Sequence, residues 1–225
     1  MRPPPLATSA LRPRRFGPQN TRGWIATNRC TYERMAIDYT RRIDRIDFGR
    51  EAERFVRLVR RTGGRPSCIA DVGCGPGPDL EVLHALGART LGIDIARAMV
   101  RRAHNSTRVQ LTQADMRRLP LRSASLDGIW CVAALGHLPP ELVAPVLGEF
   151  RRALRGGWLY VLVTAGEGVR AASFNGSLPR LFTDFTLSRL RACLVGAGFV
   201  VRDHHTHAGS GSRNWLRLTA QAGHA

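Results

Sequence analysis

Apolar residues along the chain fall into two alternating patterns. Short continuous runs occur at Ile69, Ala70 and Val72, at Thr90–Ile95, near Val109–Ala114, at Ser125–Cys131 and at Trp158–Val161. Between them lie stripes at helical spacing: Leu80, Leu83 and Leu86, a helix opening near Ala96, and one ending around Phe150–Leu154. Continuous apolar runs suit strands buried on both faces, and strands alternating with helices predict a parallel sheet in an α/β domain. Ahead of this core, Phe48, Ala52, Phe55, Val56 and Val59 form one amphipathic stripe, which predicts a helix. Behind it, Leu187, Leu190 and Leu194 predict a helix that begins within Phe182–Thr186 and stops at Gly196-Ala197-Gly198. Residues 165–180 read as an irregular loop. Phe199–Val201 and Trp215–Ala220 can close the sheet as an antiparallel pair.

The first run breaks into Asp71-Val72-Gly73-Cys74-Gly75-Pro76-Gly77 before the first helix. Alternate glycines let main chain bend sharply and let a ligand approach without a Cβ in the way. The helix that follows offers unpaired N–H groups to a negative group. A nicotinamide fingerprint would place its third glycine one residue later, where Pro78 stands. Gly-x-Gly-x-Gly preceded by Asp71 resembles the first motif of the class I methyltransferases that use S-adenosylmethionine.

That resemblance extends along residues 32–222. Asp94, with Ile95 beside it, ends the second run about twenty residues on, and a carboxylate there can accept both hydroxyls of a ribose; it can equally cap the helix near Ala96. In the family, an acid ending the third strand accepts from the adenine amino group and the next N–H donates to the ring; Asp115 and Met116 fall on those positions. Thr31–Tyr39 resembles the Tyr-x-x-x-Ala-x-x-Tyr entry segment of many small-molecule methyltransferases, and Tyr32 and Tyr39 either pack the helical cap or close over the cofactor and shield the methyl group from water. Tyr39 and His137 are the candidate catalytic residues, His137 as a base or as a structural element before Pro139-Pro140. Cys74 and Cys131 read as small buried fillers within reach of the cofactor. The implied architecture is a three-layer Rossmann-like sandwich with a seven-stranded, mostly parallel sheet of order 3-2-1-4-5-7-6 and an antiparallel last strand. Residues 1–28 are expected as a basic, Pro-rich tail, 29–64 as a helical cap, and 65–222 as the cofactor-binding core.

Composition narrows the remaining choices. The 225 residues suffice for one core, and no apolar run approaches the ~20 residues of a bilayer span. Five cysteines without C-x-x-C spacing suggest neither a disulfide frame nor a zinc knuckle, which fits a reducing cytoplasm. His205 and His207 could share a strand face, but without further ligands no metal is expected. All 34 basic residues are arginine, and the formal charge is +17. The excess predicts salt-sensitive binding to polyanions. An RNA or tRNA methyltransferase is therefore the alternative to a small-molecule enzyme, although the loop after the fourth strand has no Asn/Asp-Pro-Pro-aromatic element for a flipped base. A nicotinamide-dependent oxidoreductase is disfavoured by the glycine spacing.

Overall fold

The computed structural model describes residues 20–43, 48–62, 66–174, 176, 178–208 and 213–223; most of the expected tail lies outside them. Helix α1 spans Thr21–Ile43 and α2 Gly49–Thr62. The alternating core follows as β1 (Cys68–Val72), α3 (Pro78–Ala85), β2 (Arg89–Asp94), α4 (Arg97–Ser106), β3 (Gln110–Gln113), β4 (Leu126–Val132), a 3₁₀ turn at Leu135–His137, α5 (Pro140–Ala153) and β5 (Leu154–Thr164). The chain ends with β6 (Gly168–Phe174), β7 (Leu178–Asp184), α6 (Leu187–Gly196), β8 (Phe199–Ala208) and β9 (Asn214–Ala222).

Seven strands form the main sheet in the order β3-β2-β1-β4-β5-β9-β8. β1 to β5 are mutually parallel, and β9 runs antiparallel to both neighbours. This is the expected order once the two strands β6 and β7, which lie outside the main sheet, are left uncounted. The continuous runs owe their apolarity to burial on both faces: Ile69, Ala70 and Val72 are fully buried, with helices on either side. On one side Ala52, Phe55, Val56 and Val59 of α2 pack with Leu83 against Trp130 and Tyr160, whose rings stack at 4.0 Å. On the other, α5 and α6 bury Val146, Phe150, Leu190 and Leu194. Asp79 Oδ2 accepts from Trp130 Nε1 at 2.8 Å, fixing the start of α3 to β4 beneath the glycine turn.

Three local expectations need correction. Residues 21–28, expected in the tail, are the first turns of α1, and Trp24 and Asn28 on them are buried. Residues 165–180 are not irregular: β6 and β7 form an antiparallel hairpin, with Val169 opposite Thr183 and Ala171 opposite Leu181. Phe182–Asp184 therefore belongs to β7, and α6 starts only at Leu187, where Thr186 caps it by accepting from Arg189 N–H at 3.2 Å. Gly156-Gly157 lies inside β5 and makes a bulge, because pairing with β4 shifts between Leu126 and Gly128. A Cβ on Gly157 would stand 2.1 Å from Asp127 O, so only glycine permits this approach.

Candidate functional site

The site lies beyond the carboxyl ends of β1 and β4, where strand order reverses and ligands of open α/β sheets bind. The backbone leaves β1 through three left-handed glycines, Gly73, Gly75 and Gly77, with φ of 81°, 54° and 92°. Gly73 and Cys74 donate to Ile93 O at 2.7 and 3.1 Å, which fixes the turn to β2. A Cβ on Gly73 would meet Ala134 Cβ at 2.2 Å, with Met116 Cε 3.9 Å away. One on Gly77 would press on Ala103 and Thr107 at 3.1 and 3.2 Å. Gly75 is open, with only Tyr39 Cε1 near it, at 3.9 Å. The glycines thus divide their work: two seal the turn against α4 and the loop after β4, and one leaves main chain bare.

Carboxylates surround that bare segment. Asp94 accepts from Gly75 N–H at 2.9 Å and from Ala96 N–H at 2.8 Å, so the ribose-type position and the helix-cap position are one group. Burial raises its pKa to about 6 against the two N–H donors that lower it. Asp71 is 3% exposed, and burial, with the charges of Asp79 and Asp94, holds its carboxyl well above the usual range. Asp115, just past β3, is held by its own loop: Oδ1 accepts from Arg117 N–H at 2.9 Å and Oδ2 from the Arg117 guanidinium at 2.6 and 2.9 Å. Ile95 is half-buried at the end of β2, and Gln113 Nε2 donates to its carbonyl at 3.2 Å. Cys131 is fully buried and its thiol is pushed up to about 12, while burial raises Cys74 as well; both are inert as nucleophiles.

The cap closes over the turn from α1. Tyr39 stands over Gly75, and Tyr32 meets it edge-on at 5.4 Å. Tyr32 Oη lies 2.7 Å from His137 Nε2, and His137 Nδ1 lies 3.3 Å from Leu181 O. A carbonyl only accepts, so Nδ1 carries the proton and Nε2 accepts from the Tyr32 hydroxyl. Burial, reinforced by the positive charges of Arg180 and Arg170, lowers the His137 pKa to about 3. The imidazole is neutral at physiological pH and already occupied at both nitrogens.

α1, the 3₁₀ turn and β7 are fixed together around this histidine. Asn28 Nδ2 donates to His137 O and Leu181 O, both at 2.9 Å, and Asn28 Oδ1 accepts from Leu181 N–H at 2.8 Å. Trp24 Nε1 also donates to His137 O, and Thr31 and Thr183 hydroxyls donate to Pro179 O and Leu138 O. Glu33 accepts from Arg97 and Ala98 N–H at 2.6 and 2.9 Å, so a carboxylate of α1 caps α4 at its positive end. Asn28, Glu33 and Arg180 carried no sequence signal, because their partners lie 64 to 153 residues away or on the unrecognised hairpin. His205 and His207 stack at 6.1 Å on exposed β8, away from the glycine turn, and no cluster of three metal-ligating side chains occurs among the described residues.

A neutral, buried His137 gives a signed pH prediction. The unfolded histidine takes up a proton below about pH 6.5 while the folded one does not, so its contribution to stability is full above that pH and is lost as pH falls toward 3. Urea unfolding of the wild type should lose about 2 kcal/mol more between pH 7 and 5 than His137→Gln does. Equal losses would place the imidazole in water.

Residues 69–157 match a methyltransferase-domain family. Malonyl-[acyl-carrier protein] O-methyltransferase from Herminiimonas arsenicoxydans is 27% identical over 65% of this chain and 58% of its own length. The 27-O-demethylrifamycin SV methyltransferase of Amycolatopsis mediterranei is 32% identical over 51% of the chain and 45% of its own length. The chain thus spans less than two thirds of these curated relatives. Among solved structures, Burkholderia thailandensis 1,6-didemethyltoxoflavin-N1-methyltransferase, with substrate and S-adenosylhomocysteine bound, covers 91% of both chains at 22% identity and a TM-score of 0.72. No described helix is long and apolar enough to cross a membrane. The glycine turn, the acids at the β2 and β3 ends and the reversed strand order all lie within or beside the segment that matches the methyltransferase-domain family, and the fold is one shared with solved S-adenosylmethionine-dependent methyltransferases.

Proposed function

We propose that the protein transfers the methyl group of S-adenosylmethionine to an N, O, S or C atom of a small molecule, in a setting such as secondary metabolism. One observation carries the assignment: Gly75 presents bare main chain beside the Asp94 carboxylate, with the Asp115 segment next along the sheet edge. The residues fit the cofactor in kind. Asp94 offers paired oxygens to ribose hydroxyls, with Ile95 beside the sugar; Asp115 and Met116 flank the adenine. The segment Gly73-Cys74-Gly75-Pro76-Gly77 takes the amino-acid portion, and Cys131 packs behind it. Asp71, buried and crowded by other carboxylates, gains most from a cationic amino group.

When bound, the cofactor supplies an activated methyl group on a sulfonium. The chain's part is alignment and exclusion of water, which can contribute on the order of 7–11 kcal/mol in well-oriented reactions. Tyr39, over Gly75, screens the transferred methyl from solvent. His137 holds the Tyr32 hydroxyl and is not set to take a proton from substrate, since Nε2 already accepts one hydrogen bond and burial opposes its protonation. Calorimetry should show one equivalent of S-adenosylhomocysteine bound and no NADH; the reverse preference would overturn the assignment in favour of an oxidoreductase.

The charge of +17 keeps an RNA substrate as the second reading. Binding of bulk tRNA that disappears between low and moderate salt would mark the attraction as charge alone.

A further inference from the structure

Helix α2 packs over β4 and β5 but leaves the sheet open toward the β8 edge, where a cleft of about 400 Å³ remains. Leu218 and Ala220 of β9 turn into the core under α5 and α6, so by alternation Arg217 and Thr219 turn to the cleft. The floor is apolar, built from Phe55 and Leu58 of α2 and from Trp158 and Tyr160 of β5. Trp158 Nε1 donates to Thr62 Oγ1 at 2.9 Å, which ties that floor to the end of α2. Val200 of β8, 44% exposed, stands on the same face of the sheet, since its neighbour Val201 packs into the core on the other. None of the lining residues belongs to the glycine turn, the ends of β2 and β3, or α1.

The rim is basic. Arg54, Arg57 and Arg61 recur at i, i+3 and i+7 along one flank of α2, and Arg202 and Arg217 line the cleft from β8 and β9. Two carboxylates, Glu51 and Asp203, share the lining. Asp203 accepts from Arg217 at 2.7 Å, Arg57 pairs with Glu53, and Arg202 donates to Gln221 Oε1 at 3.1 Å. Arg54 and Arg61 are exposed, and neither they nor the Tyr160 hydroxyl have a hydrogen-bond or ion-pair partner among the described residues. An apolar floor beside unpaired guanidiniums calls for a ligand that is apolar and acidic at once.

Charge and shape select the occupant. Arg54 and Arg61 lie about 10 Å apart along α2, so the positive groups follow a line, which suits a chain with several carboxylates better than one small anion. Nucleic acid needs open ring faces for its bases, yet Tyr160 stacks on Trp130 at 4.0 Å and Trp158 is 8% exposed. Glu51 would also oppose phosphates, whereas it can accept from a peptide N–H. A second copy would bring the same +17 charge, and residues 1–19 carry four arginines and no acid. We propose that the cleft between α2 and β8 docks an acidic segment of a partner protein, in which Asp and Glu are interspersed with Leu or Phe. The docking surface is separate from the methyl-transfer site and does not depend on that reading.

Fluorescence anisotropy on the full chain, at about 0.15 M salt to screen general attraction, would use the labelled peptide Glu-Glu-Leu-Glu-Asp-Phe-Glu-Glu. Two counterparts separate its features: one with every acid changed to its amide, and one with Leu and Phe changed to Ser. The acidic apolar peptide should bind at least about tenfold more tightly than either. Arg54→Gln with Arg61→Gln should remove that advantage, and thermal melting should match the wild type because both side chains are exposed and unpaired. Arg101→Gln with Arg191→Gln, exposed on α4 and α6, should leave it intact. No binding, equal binding of the three peptides, or an equal loss in both double variants would overturn the proposal, the last by reducing the attraction to bulk charge. A uridine dodecanucleotide that binds more tightly than the peptide and depends on Arg54 and Arg61 would overturn it in favour of nucleic acid.

Discussion

Asp94→Ala should weaken binding of S-adenosylhomocysteine by tens-fold or more. Two hydrogen bonds from a charged acceptor, each worth ~1.5–3 kcal/mol, would be lost if the carboxylate holds both ribose hydroxyls. Asp94 also holds Gly75 and Ala96 N–H, so alanine loosens the turn that the ligand must meet. Asp94→Asn separates the effects: it keeps one acceptor for the turn but removes the charge, and should lose less affinity than alanine. Titration gives a further check. With the carboxyl titrating at about 6, the wild type should lose about tenfold in affinity between pH 7.5 and 5, while Asp94→Asn stays level. The same raised pKa stabilises the ligand-free fold in acid: that contribution is complete below the unfolded carboxyl's pKa and is lost as pH rises through 6, opposite in sign to His137. Calorimetric affinity unchanged in Asp94→Ala would reject the ribose role.

The parts of this molecule that were legible from sequence are those whose cause is local. Ile69, Ala70 and Val72 are apolar because helices cover both faces of their strand, and the glycines after them are needed by the bend they make. Asp94 follows at the end of the next run, so its place at the turn is set by strand pairing between neighbours. The hairpin β6–β7 was illegible because Gly168, Arg170, Pro179 and Arg180 interrupt its apolar residues and break any regular alternation, and β7 is held by Asn28 and Thr31 of α1. The start of α1 was hidden for a related reason. Thr21–Asn28 mixes Thr, Arg, Gly and Asn with Trp24, Ile25 and Ala26 and has no apolar stripe, and what makes it helical is tertiary: Trp24 and Asn28 find their acceptors on His137 and Leu181, more than a hundred residues on. Consequently the glycine turn with Asp94, and Tyr32, Tyr39 and His137 one by one, were readable, whereas the contacts that join α1, the 3₁₀ turn and β7 were not.

The same turn yields a pair of substitutions with opposite consequences. Gly73→Ala should destabilise the fold by about 2–5 kcal/mol, combining left-handed backbone strain with overpacking of a closed site. The Cβ would overlap Ala134 Cβ at 2.2 Å, and Ala134 cannot retreat because Ala133 before it holds φ of 53° and donates to Leu162 O. Gly75→Ala has the same chemistry and a different setting. Its φ of 54° lies where alanine is tolerated at a cost of roughly 1–2 kcal/mol, and its Cβ would enter open space below Tyr39. That space is the one assigned to the ligand. Gly75→Ala should therefore lose only those ~1–2 kcal/mol in urea yet bind S-adenosylhomocysteine at least about tenfold more weakly. Gly73→Ala should show a markedly lower urea midpoint before any ligand is added. A Gly75→Ala protein that binds normally would mean the ligand never touches this turn, and the bare main chain between Tyr39 and Asp94 would have no part in the reaction.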